Sequence, residues 1–154
     1  MEAQPDYREL LELFNAQGVE FLIVGAYALA FYGAPRTTGD INLLVHSTPD
    51  NAARVVAALD AFGFGSLGLT TDDFQTPDQV IQLGVPPVRI DILTSLSGVT
   101  WNEANEGKEP GNYGDVPVFF IGKTEYIKNK KATGRKKDEA DVEALGQSGA
   151  TLEN

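Results

Sequence analysis

Cysteine is absent from the 154 residues, so disulfides, cysteine-ligated zinc and iron–sulfur clusters are excluded. Histidine occurs once, as His46 after an apolar stretch, where a strand-end side chain is its expected role. Serine-type triads and histidine-rich metal sites are thereby disfavoured, and hard oxygen ligands for Mg²⁺ are the metal chemistry left. No run approaches the roughly 18 consecutive apolar residues of a membrane span. The start Met1-Glu2-Ala3-Gln4-Pro5-Asp6 lacks the basic stretch of a signal peptide, and a cytoplasmic location is expected. Positive charge is also scarce. Twelve Lys and Arg face 22 Asp and Glu, a formal net charge of −10, which argues against broad, nonspecific binding of nucleic acid. The deficit is uneven, because seven of those twelve cations fall between 123 and 137 and define a local basic surface.

What is present fits a globular chain: 42% apolar and 22% charged residues are ordinary values. Residues 1–146 are expected to form one domain with a core under a mixed sheet, and 147–154 a flexible tail. Asp6 with Glu9 resembles a capping box, and Leu10, Leu11, Leu13 and Phe14 form a stripe, predicting a helix over about 7–17. Residues 20–24 read as a continuously apolar strand, and 26–32 as a short helix of small residues. Thr48 as N-cap with Pro49 starts a further helix that runs to Gly63. Residues 64–77 read as a loop with one helical turn, and Asp72, Asp73 and Asp78 are expected to be solvated loop residues. Residues 79–85 and 88–93, split by Pro86-Pro87, predict an antiparallel hairpin. A short helix holding Trp101 is expected within 98–109. A strand follows over 116–121, with Pro117 marking an edge or a strand start. Helices over 123–132 and 136–145 close the chain.

One stretch organises the rest. Gly25-Ala26-Tyr27-Ala28 turns a strand into a helix, and Pro35-Arg36-Thr37-Thr38-Gly39 leads into Asp40-Ile41-Asn42-Leu43-Leu44-Val45. Residues two apart on a strand share a face, so Asp40 and Asn42 aim their oxygens into one small volume beside a helix N-terminus that favours an anion. Asp91 is a lone acid on the apolar strand Val88-Arg89-Ile90-Asp91-Ile92-Leu93. It reads either as a catalytic carboxylate or as the ion-pair partner of Arg89 or Arg36.

These residues resemble the signature of the nucleotidyltransferase superfamily, the DNA polymerase beta-like fold: a glycine turn, then a strand reading Asp-apolar-Asp, then a third carboxylate on a later strand. The pattern is similar to small bacterial and archaeal members, several of them toxin or abortive-infection proteins. The likeness extends to Asn129-Lys130-Lys131-Ala132-Thr133-Gly134-Arg135-Lys136-Lys137-Asp138-Glu139-Ala140-Asp141-Val142. It implies an α/β (α+β) fold, a mixed sheet with helices packed on it and a C-terminal helix pair. It further implies Mg²⁺ with an NTP as substrate, held by Asp40, residue 42 and Asp91, with Asp91 acting as base toward an acceptor hydroxyl. Gly25 and Ala26 would offer backbone N–H groups to phosphate, and Lys130 would reach the terminal phosphates. Arg36 and Thr38 would touch phosphate or acceptor, or stand as loop polarity.

The sequence departs from that pattern at Asn42, where the family carries an acid, and at Ala26, where active relatives often carry serine. An amide can ligate Mg²⁺ but adds no charge, so bridging two dications weakens. The expected activity is transfer of a nucleoside monophosphate to a hydroxyl of RNA, such as tRNA, or of a protein. The rival expectation is a catalytically degenerate nucleotide-binding or protein-interaction module, such as one half of a toxin–antitoxin pair. Arg135, Asp138 and Asp141 are expected either to tie the C-terminal helices together or to meet nucleotide.

Overall fold

The computed structural model describes residues 3–34, 38–134, 139–143 and 145. Arg36, Arg135, Asp138 and the tail 147–154 lie outside them. The first helix, α1 (Pro5–Ala16), starts earlier than the stripe predicts, because Gln4 rather than Asp6 is its cap. The Gln4 side chain accepts from the N–H groups of Asp6 and Tyr7, and Pro5 takes the first helical position, where no N–H is needed.

Strands β1 (Phe21–Val24) and β2 (Asp40–Val45) flank helix α2 (Gly25–Phe31). Helix α3 (Pro49–Leu59) is capped by Thr48, as expected, and a wide π turn over 60–64 followed by a tight 3₁₀ turn over 65–67 leads to α4 (Thr71–Gln75). Asp73 is not simply solvated: its carboxylate accepts from Thr70 N at 2.8 Å and caps α4. Then come β3 (Val80–Leu83), β4 (Arg89–Leu93), α5 (Trp101–Glu106), β5 (Glu109–Tyr113), β6 (Val116–Phe120) and α6 (Lys123–Thr133). Residues 139–143 and 145 are helical, and Leu145 is buried.

The six strands form one sheet in the order β3-β4-β2-β1-β6-β5. The pairs β2–β4 and β1–β6 are parallel and the others antiparallel, giving the expected mixed sheet. Strand β5 was not anticipated. Its sequence, Glu-Pro-Gly-Asn-Tyr, has no apolar alternation, and it exists because β6 supplies a ladder from Glu109↔Phe120 to Tyr113↔Val116. Pro117 is a strand-start residue and not an edge marker. β6 lies inside the sheet, and its pairing with β1 is confined to Ile23↔Phe120, beyond the proline.

Helices α1 and α3 bury their stripes, with Tyr7, Leu10, Leu11, Phe14, Val55, Ala58 and Leu59 in the core. Phe14 meets Phe21 of β1 edge to face at 5.2 Å. Each such aliphatic or aromatic side chain contributes roughly 1.5–3 kcal/mol by leaving water. The fully buried Asn51 knits three elements. Its Oδ1 accepts from Glu20 N at 2.7 Å, and its Nδ2 donates to Glu20 O and His46 O. His46 follows β2 directly, stacked on Trp101 at 4.8 Å with Nδ1 3.1 Å from Glu20 Oε2. Among the described residues no helix is long and apolar enough to cross a membrane.

Candidate functional site

The register of β2 on β4 brings the acids together. Asn42 pairs with Asp91 and Asp40 with Arg89 across the parallel ladder, so all four side chains rise from the same sheet face. Arg89 closes the group. Its Nε and Nη2 donate to the two carboxylate oxygens of Asp91 at 3.0 and 3.1 Å, and Nη2 also donates to Asp40 Oδ2 at 3.1 Å. The Thr38 hydroxyl donates to Asp40 Oδ1 at 2.6 Å, which gives the loop threonine a defined role at this acid. Asp91 is therefore the ion-pair partner of Arg89, and it lies beside Asp40 and Asn42.

The two carboxyls are inequivalent. Burial pushes Asp40 up, but hydrogen bonds with Thr38 and Asp91 and the Arg89 charge outweigh it and hold the group below the ordinary carboxylate range. Asp91 lies deeper, 7% exposed, and burial pushes it above the ordinary range, with the nearby Asp40 adding to the rise and Arg89 opposing it. Two interacting acids with diverging proton affinities titrate as a pair.

Asn42 faces the glycine turn on its other side. Gly25 has φ +70°, and a Cβ there would stand 2.4 Å from Asn42 Nδ2, so the turn needs a residue without a side chain in both respects. Asn42 Oδ1 is buried with no hydrogen-bond partner among the described residues. Gly25 and Asn42 form one wall of a cavity of about 340 Å³, whose other walls include Asp78, Ser95, Asn129 and Lys130. Lys130 is thus brought to Asn42 from α6, its ammonium 5.5 Å from the Tyr126 ring centroid. Asp40 and Asp91 sit beside this space and do not line it, and Ala26 is half-buried behind Gly25.

The sequence reading passed over Asp78 as solvated. It is exposed, with φ +61°, and its N–H donates to Ser95 Oγ while that hydroxyl donates back to Oδ1 at 2.8 Å. Asn129 is held by a bond to Ser97 O at 2.9 Å. Its place in Asn129-Lys130 was the available signal, since a residue adjacent to a cavity lysine sits at the same end of the helix. Lys128 points elsewhere and pairs with Glu103.

The donor set does not fit a resident divalent ion. Among the described residues no three His, Cys, Asp or Glu side chains are grouped to hold one. The two acids that do meet are already bonded to Arg89, and the third position is an amide.

No family model matches the sequence, and no curated protein matches it. Solved structures do. A candidate nucleotidyltransferase from Thermotoga maritima superposes with a TM-score of 0.62 at 13% identity, over 94% of this chain and 96% of that one. The lincosamide antibiotic adenylyltransferase LnuA, bound to lincomycin, gives 0.56 at 13% identity, over 94% and 97%. An antigenic nucleotidyltransferase-like protein from Paracoccidioides brasiliensis gives 0.57 at 15%, over 96% of this chain and 77% of that one. The chain has the nucleotidyltransferase fold. That agreement covers nearly its whole length.

Proposed function

We propose that the cavity between the Gly25 turn and α6 receives the phosphates of a nucleoside triphosphate, which enters with Mg²⁺ as part of the substrate. The acceptor hydroxyl of RNA or of a protein then attacks the α-phosphate, losing its proton, and the bond to the β-phosphate breaks, so the nucleoside monophosphate is transferred and pyrophosphate is released. One observation carries this reading: Gly25, Asn42 and Lys130 surround one space, and the Asp40–Asp91 pair lies next to it on the same sheet face. Lys130 supplies positive charge to the terminal phosphates, and the backbone N–H groups of Gly25 and Ala26 support them at the start of α2. Asp91, whose proton affinity is raised, is suited to accept a proton from an attacking hydroxyl. Thr38 orients Asp40, and Arg36 is the loop cation assigned to phosphate or acceptor. The basic segment 123–137 suits a polyanionic acceptor such as tRNA.

The test is transfer of labelled monophosphate from each NTP to tRNA and to protein, with the wild type and Asn42→Asp side by side. Label on either acceptor supports transfer. Absence of both label and NTP binding in both proteins removes the reading.

A second reading keeps the nucleotide and drops the chemistry: a degenerate module that senses nucleotide or pairs with a protein such as an antitoxin. The Asn42 amide and the engagement of both acids by Arg89 favour it. Calorimetry separates the two, because a pure interaction module gives no Mg²⁺-dependent heat with any NTP.

A further inference from the structure

Arg89 stands where the acids would otherwise need a counter-charge. It lies opposite Asp40 in the β2–β4 ladder and two residues before Asp91 on the same face, so register alone delivers its guanidinium to both carboxylates. The three hydrogen bonds it makes to them are charge-assisted, and a guanidinium cannot shed its charge by deprotonation in the working pH range. Two carboxylates and one guanidinium leave a single formal negative charge, and the neutral Asn42 opposite Asp91 adds none. A set bearing one net negative charge is a poor host for a dication. Tyr7 secures the arrangement from below, its hydroxyl donating to Arg89 O at 2.9 Å and fixing that stretch of β4. The Arg89 side chain is 32% exposed, so it has an open side toward which it can swing.

We propose that Arg89 is the resident cation of the Asp40–Asp91 pair, occupying the place of a divalent ion, so that free Mg²⁺ or Mn²⁺ does not settle between these acids until the guanidinium is displaced. The inference concerns cation occupancy alone and does not rest on nucleotidyl transfer.

The probe is Mn²⁺ alone, followed by electron paramagnetic resonance and by its effect on melting temperature, in the wild type, Asp40→Asn, Arg89→Gln and Arg89→Gln/Asp40→Asn. The expected result is weak Mn²⁺ binding to the wild type that Asp40→Asn does not change. Arg89→Gln should gain affinity by about tenfold or more and recover lost melting temperature on adding Mn²⁺, and the added Asp40→Asn should abolish that gain. Equal Mn²⁺ affinity in the wild type and Arg89→Gln would overturn the proposal. So would a gain that survives Asp40→Asn. Should Arg89→Gln not fold, the wild type decides by itself: Mn²⁺ binding that Asp40→Asn weakens by tenfold places the ion between the acids and refutes the proposal, and binding insensitive to Asp40→Asn supports it.

Discussion

The amide of Asn42 lies directly against Gly25: a Cβ on residue 25 would come within 2.4 Å of Asn42 Nδ2 and 3.1 Å of its Cγ. The two landmarks of the sequence, the glycine turn and the polar strand, are therefore in van der Waals contact. Gly25→Ala should be strongly destabilising. The left-handed backbone at φ +70° costs about 1–2 kcal/mol for a residue with a Cβ, and moving Asn42 adds to it. Urea unfolding should show a loss above about 2 kcal/mol. Asn42→Ala in the same chain should return the steric share but not the conformational one, so the double-mutant cycle gives a coupling of opposite sign to the loss.

Tyr7 is fully buried under the site, with its hydroxyl donating to Arg89 O, and its pKa is pushed up to about 12, first by burial and then by the Asp40 charge. A raised pKa on an acid means that the folded state holds the proton more tightly. Its contribution to stability is whole below the ordinary value of 10.0 and is lost as pH rises through about 12. Tyrosinate absorbance should show Tyr7 protonated in the folded protein at a pH where an exposed tyrosine has ionised. Tyr7→Phe should cost about 1 kcal/mol at neutral pH and remove one phenol from the late-ionising set, which Tyr27 and Tyr32, also raised by burial, continue to supply.

Arg8 holds Asp115 in a fork, Nε to Oδ1 at 2.6 Å and Nη2 to Oδ2 at 2.8 Å, clamping α1 to the β5–β6 turn. The hydrogen bonds from Arg8 hold the Asp115 carboxyl below its usual range. The sign for a depressed acid is the reverse of that for Tyr7: the stabilisation is present above the ordinary aspartate pKa and disappears as pH falls through the lower folded value. Asp115→Asn should therefore lower neutral stability slightly and leave stability at strongly acid pH unchanged, so that the acid limb flattens, and the effect should be small because the pair is exposed and salt weakens it further.

How far the sequence speaks depends on whether a residue's role is local. Thr48 with Pro49 caps α3 as read, and Gly25 ends β1 as read, because a cap and a turn need only their neighbours. The alternation of Asp40 and Asn42 likewise fixed their shared face. What a single strand cannot reveal is its partner. Strand β5 exists through β6, and the Asn42–Asp91 and Asp40–Arg89 pairings are products of parallel register between positions 49 apart in the chain. Arg89 was visible as a neighbour of Asp91, but its second bond, to Asp40, follows only once β2 and β4 lie side by side. Asp78 and Asn129 reach the cavity through a hairpin edge and a helix end, whose approach to β2 is a tertiary fact.

Lys130 offers a clean separation of binding from folding. It lines the cavity from the last turn of α6, with its ammonium over Tyr126. Lys130→Ala should weaken NTP binding by about tenfold or more, the value of one charge-assisted contact to phosphate. Loss of the cation–π contact with Tyr126 should itself lower stability by about 0.5–1 kcal/mol. Fluorescence anisotropy of a labelled NTP and thermal melting give the two numbers. An unchanged affinity would place the phosphates elsewhere.

Asn42→Asp tests the electrostatics of the whole group. The new carboxylate would sit opposite Asp91 and two residues from Asp40, while the Arg89 fork is already committed to those two acids. Like charges a few ångströms apart at an effective dielectric near 20 repel by about 2–4 kcal/mol, so the residue-42 carboxyl should hold its proton well above the ordinary aspartate pKa. An acid with a raised folded pKa destabilises only where the unfolded chain would ionise it. The variant should therefore match the wild type near pH 4 and fall behind by about 1–3 kcal/mol toward pH 7. Mg²⁺ with NTP should restore part of that loss, because a dication relieves the repulsion that the amide avoids. A variant as stable as the wild type at neutral pH would mean that residue 42 does not share the field of Asp40 and Asp91, and the amide would then need another explanation.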